Sequence, residues 1–257
     1  MNDAIVSIPP SDYVPRPEAF RGRLYVLAGI GAGAGVYVAR RLAGLGARTV
    51  LLDPSPSLLE ETATAIETEG GMAPVLQALD PHGATVADYD ALATAIAEIS
   101  PVLDGLIHDG VHVGYHGPLL TCPPEEWWAV LRTHLDTAFA LTRALLPALQ
   151  AAAHAQVIYG VREEGRRPRA FAGPHAVAHA GLEALVHVAN EEFGHRGSPR
   201  FATLDPGEVA TRLQQGFFLE DPAHPTPSPA TVTDAYLALL EGWEGHGAGR
   251  YRAIPRD

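Results

Sequence analysis

Lysine is absent from this chain: all 18 basic residues among its 257 are arginine, so no reaction that depends on a lysine amine can be assigned to it. Cysteine is nearly absent. The single Cys122 excludes an internal disulfide and fits a reducing compartment. Positive charge is scarce too. The formal net charge is -12, and no basic run exceeds Arg166-Arg167-Pro168-Arg169. That leaves no broad positive surface for nucleic acid or an anionic membrane. No apolar stretch approaches the length of a membrane span. Residues 1–20 are polar and lack the basic start and apolar core of a signal peptide. A soluble cytoplasmic protein is expected, with neither nucleic acid nor membrane as partner.

What is present is a chain 47% hydrophobic, enough for one large α/β core at this length. Residues 1–20 read as an N-terminal arm, because Pro9, Pro10, Pro15 and Pro17 oppose regular structure. Residues 21–257 read as one domain. In it, short apolar runs bounded by turn signals alternate with amphipathic stretches. The runs predict strands over 24–28, 49–52, 74–79, 105–108, 156–159 and 201–204. The amphipathic stretches predict helices over 35–45, 57–69, 85–99, 125–150, 174–193 and 231–241. Strand alternating with helix implies right-handed crossovers and a Rossmann-type, doubly wound parallel sheet with helices on both faces. The Pro-rich stretch 221–229 reads as a loop, since only one helix and a short tail follow it.

The first predicted strand runs into Ala28-Gly29-Ile30-Gly31-Ala32-Gly33-Ala34-Gly35, and a helix follows at once. In that context Gly29 permits a tight turn, Gly33 lets backbone approach a pyrophosphate, and Gly35 permits close helix–strand packing. The helix N-terminus offers free N–H groups and a positive dipole end to phosphate. Asp53 ends the second strand. A carboxylate there accepts ribose hydroxyls and repels a 2′-phosphate, which favours NAD over NADP. The plainer alternative is a packing turn with Asp53 as an ordinary strand-end residue.

These residues resemble the glycine motif of the short-chain dehydrogenase/reductase family, with Ala28 where Thr is usual. Asp80, at the end of the third strand, matches that family's adenine-side Asp. Asp205-Pro206-Gly207-Glu208-Val209-Ala210-Thr211 resembles its Pro-Gly segment, which implies Pro206, Gly207 and Thr211 near the nicotinamide. The register runs from about Arg23 to Ile254. Leu103-Asp104-Gly105-Leu106-Ile107-His108 and Glu220-Asp221-Pro222 are most similar to the YciK-like branch. The resemblance implies an NAD-dependent oxidoreductase. It also implies a homodimer or homotetramer built through the helices over 125–150 and 174–193. Two departures are expected to weaken cofactor binding. The usual Asn-Asn-Ala-Gly is reduced to His108-Asp109-Gly110, and Ile30 and Ala32 replace polar residues of the glycine loop.

The family's redox chemistry uses a Tyr, a Lys one helical turn later, a Ser and an Asn. By the resemblance, the Tyr and Lys positions fall on His175 and His179, the Asn position on His134, and the Ser position on Gly160 or Val161. Tyr159 and Tyr115 are the tyrosines that could approach the site. Three readings follow. The protein keeps the fold and a nucleotide site but has lost redox chemistry. Alternatively, His175 or His179 is a general acid/base for another reaction. In the third reading, the i,i+4 pair His175/His179 binds metal with His134, His108, His112 or His116, and Asp109 or Asp136 orients the rings. The first is the expectation, with no native metal. The segment from Arg162 to Arg169 reads as a solvated loop neutralised by Glu163 and Glu164. Trp127 and Trp128 open the fourth helix, where one of them is expected in the core or a subunit interface. No substrate or partner can be named.

Overall fold

The computed structural model describes residues 5–8, 13–31, 33–110, 112, 114–207, 209–210 and 226–253. Among them, β1 (Ile5–Ile8), β2 (Leu24–Ala28), β3 (Arg48–Asp53), β4 (Val75–Ala78), β5 (Gly105–His108), β6 (Gln156–Gly160), β7 (Arg200–Asp205) and β8 (Gly249–Ala253) form one sheet. Its order is β1-β8-β7-β6-β5-β2-β3-β4, and every pairing is parallel. The strands alternate with α1 (Gly35–Gly44), α2 (Pro56–Thr68), α3 (Val86–Ile99), α4 (Pro124–Leu131), α5 (Thr137–Ala151), a short α6 (Glu163–Arg166), α7 (Gly173–Phe193) and α8 (Thr233–Glu241). The expected doubly wound parallel fold is present.

The period of two along each strand divides the interior into two cores. Tyr25 and Leu27 of β2 point to one face, where they join Val38 and Leu42 of α1, Leu59 of α2 and Tyr236 of α8. Leu24 and Val26 point to the other, against Leu92 of α3, Leu141 of α5 and Leu182 of α7. Helix starts are chemically marked. Ser55 caps α2, with Pro56 next, and Thr85 and Asp88 form a capping box on α3. Helix α1 has no side-chain cap, so its first N–H groups remain available to an acid or a phosphate.

Two strands escaped the sequence reading. The expected arm contains β1, which pairs with β8 at the sheet edge. The β-prone run Ile5-Val6-Ser7-Ile8 precedes Pro9 and Pro10, so those prolines follow the strand and do not prevent it. Tyr13 and Arg16 then tie the segment to Glu241, with the Tyr13 hydroxyl donating at 2.7 Å. Strand β8 reads as polar because Arg250 and Arg252 alternate with Tyr251 and Ala253, whose side chains are buried.

The helix expected over 125–150 is also interrupted. A single π turn, Arg132–Asp136, separates α4 from α5, and the Thr137 hydroxyl closes it by donating to the Arg132 carbonyl at 2.8 Å. Such turns re-aim side chains, and here the turn carries His134 into the interior.

The chain direction across the sheet reverses between β2 and β5, which are neighbours. The loops leaving these two strands therefore lie side by side at the carboxyl edge, where ligands of such sheets bind.

Candidate functional site

Gly29 turns the chain out of β2 with φ +73°, and a Cβ there would collide with the backbone of Gly110 in the loop after β5. The two loops touch, so the crevice between them is narrow. Asp53 closes its far side. Its Oδ2 accepts the Gly31 N–H at 3.0 Å and its Oδ1 accepts the Ser55 N–H at 2.9 Å. Burial pushes the pKa of this carboxyl above its ordinary value, and the two backbone donors oppose the rise. A cavity of ≈ 290 Å³ results, lined by Gly29, Gly31, Asp53, Asp80, His108 and Thr133 among others, with no arginine among the described residues of its wall. Asp80 faces this cavity while its Oδ1 accepts the His82 N–H at 2.9 Å. The expected Gly29, Asp53 and Asp80 are thus brought together. Gly35 begins α1, with its Cα side packed on Ile30.

Gly33 has a different neighbour. The space its Cβ would need is held by the Asp109 carboxylate, whose Oδ2 lies 2.7 Å from that position. The same carboxylate fills the room beside Gly160, accepts a backbone hydrogen bond from Ala34 and accepts the Tyr236 hydroxyl at 3.2 Å. Burial pushes the Asp109 carboxyl up, against the pull of nearby Arg162, Tyr236 and Ala34. An internal carboxylate therefore sits at the open N-terminus of α1, where an external phosphate would be received. From the sequence alone, Asp109 is expected only as part of a shortened motif or as a support for histidine. An acid in place of the usual Asn was the available signal. Nothing local pointed to Tyr236, which comes from α8.

His134, in the middle of the π turn, meets His175 and His179 of the first turns of α7, all three buried. Each offers a ligand atom, and these atoms lie within 4.8 Å of one another. Ring centroids are 4.9 Å apart for His134 and His179, 5.6 Å for His134 and His175, and 6.4 Å for His175 and His179. Burial first, then the neighbouring rings, hold His134 well below its ordinary value. Burial, Arg162 and His175 hold His179 down to about 3. The His134 Nε2 is 3.4 Å from both the backbone N and O of His112. Nδ1 of His179 is buried with no hydrogen-bond partner among the described residues. The exposed His116 stacks on His175 at 4.7 Å. The carboxylates expected to orient these rings do not serve: Asp109 is engaged by Tyr236 and Ala34, and Asp136 is exposed.

Neither candidate tyrosine faces the cluster as a donor. The Tyr159 hydroxyl is bound to Thr142 at 2.6 Å, and burial pushes it up. The Tyr115 hydroxyl is bound to Thr121 at 2.7 Å.

The Arg-rich segment is only partly the solvated loop expected. Arg167 and Arg169 are exposed and pair with Glu163, but the Arg166 side chain is 3% exposed. Its guanidinium donates to Glu183 at 2.7 Å, to the Tyr251 carbonyl at 3.1 Å and to the Thr203 hydroxyl at 3.1 Å, with Asp205 at 4.0 Å. Pro206 and Gly207 turn the chain out of β7, and the Gly207 N–H is held by Asp205 Oδ1 at 2.9 Å. Thr211 lies outside the described residues, as does most of the Pro-rich stretch. Trp128 is exposed and Trp127 half-buried.

The fold and this crevice define a class, and the chain belongs to the short-chain dehydrogenase family: the family model "short chain dehydrogenase" matches residues 23–221. Among curated proteins it is similar to the uncharacterized oxidoreductase YciK of Escherichia coli K12, with 28% identity over 228 residues, 89% of this chain and 90% of YciK. The solved structure of E. coli yciK superposes with a TM-score of 0.86 at 27% identity, covering 94% of this chain and 98% of that one. A short chain dehydrogenase from Shigella flexneri 2a, complexed with NADP, gives 0.85 at 26% identity and covers 92% and 99%. No helix among the described residues is long and apolar enough to cross a membrane.

Proposed function

We propose that this chain is a nucleotide-binding member of the short-chain dehydrogenase family that does not perform the family's ordinary carbonyl reduction. One observation carries the reading. The buried histidines His134, His175 and His179 stand where the resemblance puts the Asn, Tyr and Lys of the redox set, and the chain has no lysine to replace the last. Proton delivery to a substrate oxygen needs a donor within hydrogen-bond reach. The tyrosine hydroxyls nearby are committed to threonines.

The nucleotide half supports binding. Neighbouring structures hold NADP and NADPH, which favours a nicotinamide dinucleotide as the ligand class. Asp53 in the cavity wall, with no arginine among the described lining residues, favours NAD(H) within that class. The cavity admits an adenosine more readily than a whole dinucleotide, because the Asp109 carboxylate occupies the pyrophosphate end. Weak NAD(H) binding is therefore the expected behaviour. A calorimetric titration of the purified chain with NAD(H) and NADP(H) tests it. Absence of binding at millimolar concentrations of either removes the nucleotide reading.

The second reading, histidine acid/base chemistry, is less favoured. A neutral, buried imidazole is a poor proton donor near neutral pH, and effective acid/base groups are poised near the working pH. A cytoplasmic homodimer or homotetramer completes the proposal. Trp128, Phe139, Val177 and Val188 are exposed on the helices through which the family resemblance implies assembly. Sedimentation velocity reads the state, and a monomer at micromolar concentration sinks that part.

A further inference from the structure

We propose that His134, His175 and His179 form a binding site for one divalent transition-metal ion, with Zn²⁺ the best fit. The proposal is independent of nucleotide binding. Three ligand atoms within 4.8 Å of one another share a point within about 2.8 Å of each, against about 2.0–2.1 Å for a zinc–imidazole bond. Side-chain shifts of less than about 1 Å close that gap. The architecture supports convergence. His175 and His179 sit one turn apart on α7, so their rings share a face, and the π turn aims His134 at them from the facing helix.

Two further observations point to a ligand. Nδ1 of His179 is buried with no hydrogen-bond partner among the described residues, an atom state that native interiors rarely leave unresolved. A coordinated cation resolves it. The His134 Nε2 lies 3.4 Å from both the N and the O of the His112 backbone, and in the tautomer that donates to the carbonyl this contact fixes the ring and leaves Nδ1 unprotonated for a metal. Three neutral nitrogens suit Zn²⁺ over Mg²⁺ or Ca²⁺, which take oxygen ligands. With three protein ligands, the fourth position is left to water or hydroxide. The rival account is three rings packed together by drift, and it predicts no stoichiometric ion.

The test uses the whole purified chain, stripped with chelator and titrated with ZnCl2 by calorimetry, with the visible absorption of added Co²⁺ reporting tetrahedral coordination. One ion per chain is expected. His134→Ala, His175→Ala and His179→Ala should each weaken binding at least about 100-fold, more than loss of a supporting contact does. His154→Ala and His187→Ala, both at exposed positions, should leave it unchanged. Should a cluster variant fail to fold, anomalous diffraction at the zinc edge from zinc-soaked crystals of the unmodified chain decides, and a peak among the three rings is expected. No stoichiometric Zn²⁺ binding, binding that survives all three substitutions, or a soaked crystal without that peak overturns the proposal.

Discussion

The carboxylate of Asp109 holds the space that Gly33 leaves open, with Oδ2 2.7 Å from where a Cβ would stand. A glycine there is useful because it lets backbone approach a pyrophosphate. In this chain the approach is met first by an anion of its own, bound to Ala34 and Tyr236. Asp109→Asn keeps the shape and removes the charge, so it should tighten NADH binding about tenfold or more. The pH response has a definite sign. Burial raises the Asp109 carboxyl, so it becomes neutral as pH falls through that raised value, and affinity should climb over that interval. Arg162 and Tyr236 face the same group, and the Asn variant isolates its contribution by flattening the climb. NADH fluorescence titrations across pH measure both. Equal affinity in the two proteins would show that the carboxylate is no obstacle.

Asp53 governs cofactor choice in a separate way. Its carboxylate lines the cavity and also holds the Gly31 and Ser55 N–H groups. Asp53→Ala should therefore narrow the preference for NAD(H) over NADP(H) by about tenfold and also lower thermal stability, since two backbone donors lose their acceptor. Competition binding with both cofactors reads the first effect and calorimetric melting the second. Tighter NADP(H) binding by the unmodified chain would refute the role given to Asp53.

The sheet and its crevice were legible because their signals are local. The apolar runs, the glycine loop and the acids at Asp53 and Asp80 lie next to the elements they serve. What was missed depended on distant parts of the chain. Tyr251 hides β8 inside a polar-looking run, because Arg250 and Arg252 find partners in Glu183 and Asp205 only after folding. Arg166 reads as a surface charge until α7 and β7 enclose it. The meeting of His134 with His175 and His179 is expected from the family resemblance, but the π turn that delivers it is not, because no periodicity in the sequence displays it.

Redox activity is the plainest functional test. The chain should show no carbonyl reduction across a broad panel of ketones and aldehydes, because no tyrosine–lysine pair is available to deliver the proton. Stopped assays of NADH consumption with purified protein measure it. Turnover of about 1 s⁻¹ or more with any substrate would end the non-redox reading. His175→Tyr combined with His179→Lys is expected to restore at most trace turnover, since the Ser and Asn positions also lack their usual residues.

Arg166 should be the costliest arginine to remove. Its side chain is enclosed between α7 and β7, with Glu183 and Asp205 almost fully buried beside it. Removing one member of such a set strands the others in low dielectric. Arg166→Met should cost about 3–5 kcal/mol, equivalent to roughly 10 °C in melting temperature for a domain of this size. Arg250 and Arg252 also touch Glu183 and Asp205, which places the expected loss toward the lower end. Arg167→Met is the control, because that side chain is 77% exposed and its pairing with Glu163 is screened. It should change stability by no more than about 0.5 kcal/mol. The pair can be separated from simple loss of packing. Adding Glu183→Met to Arg166→Met removes a stranded charge, so the double variant should recover part of the loss. Urea unfolding of the four proteins gives the coupling directly. A double variant as unstable as the sum of the two singles would mean that Arg166 acts through packing alone.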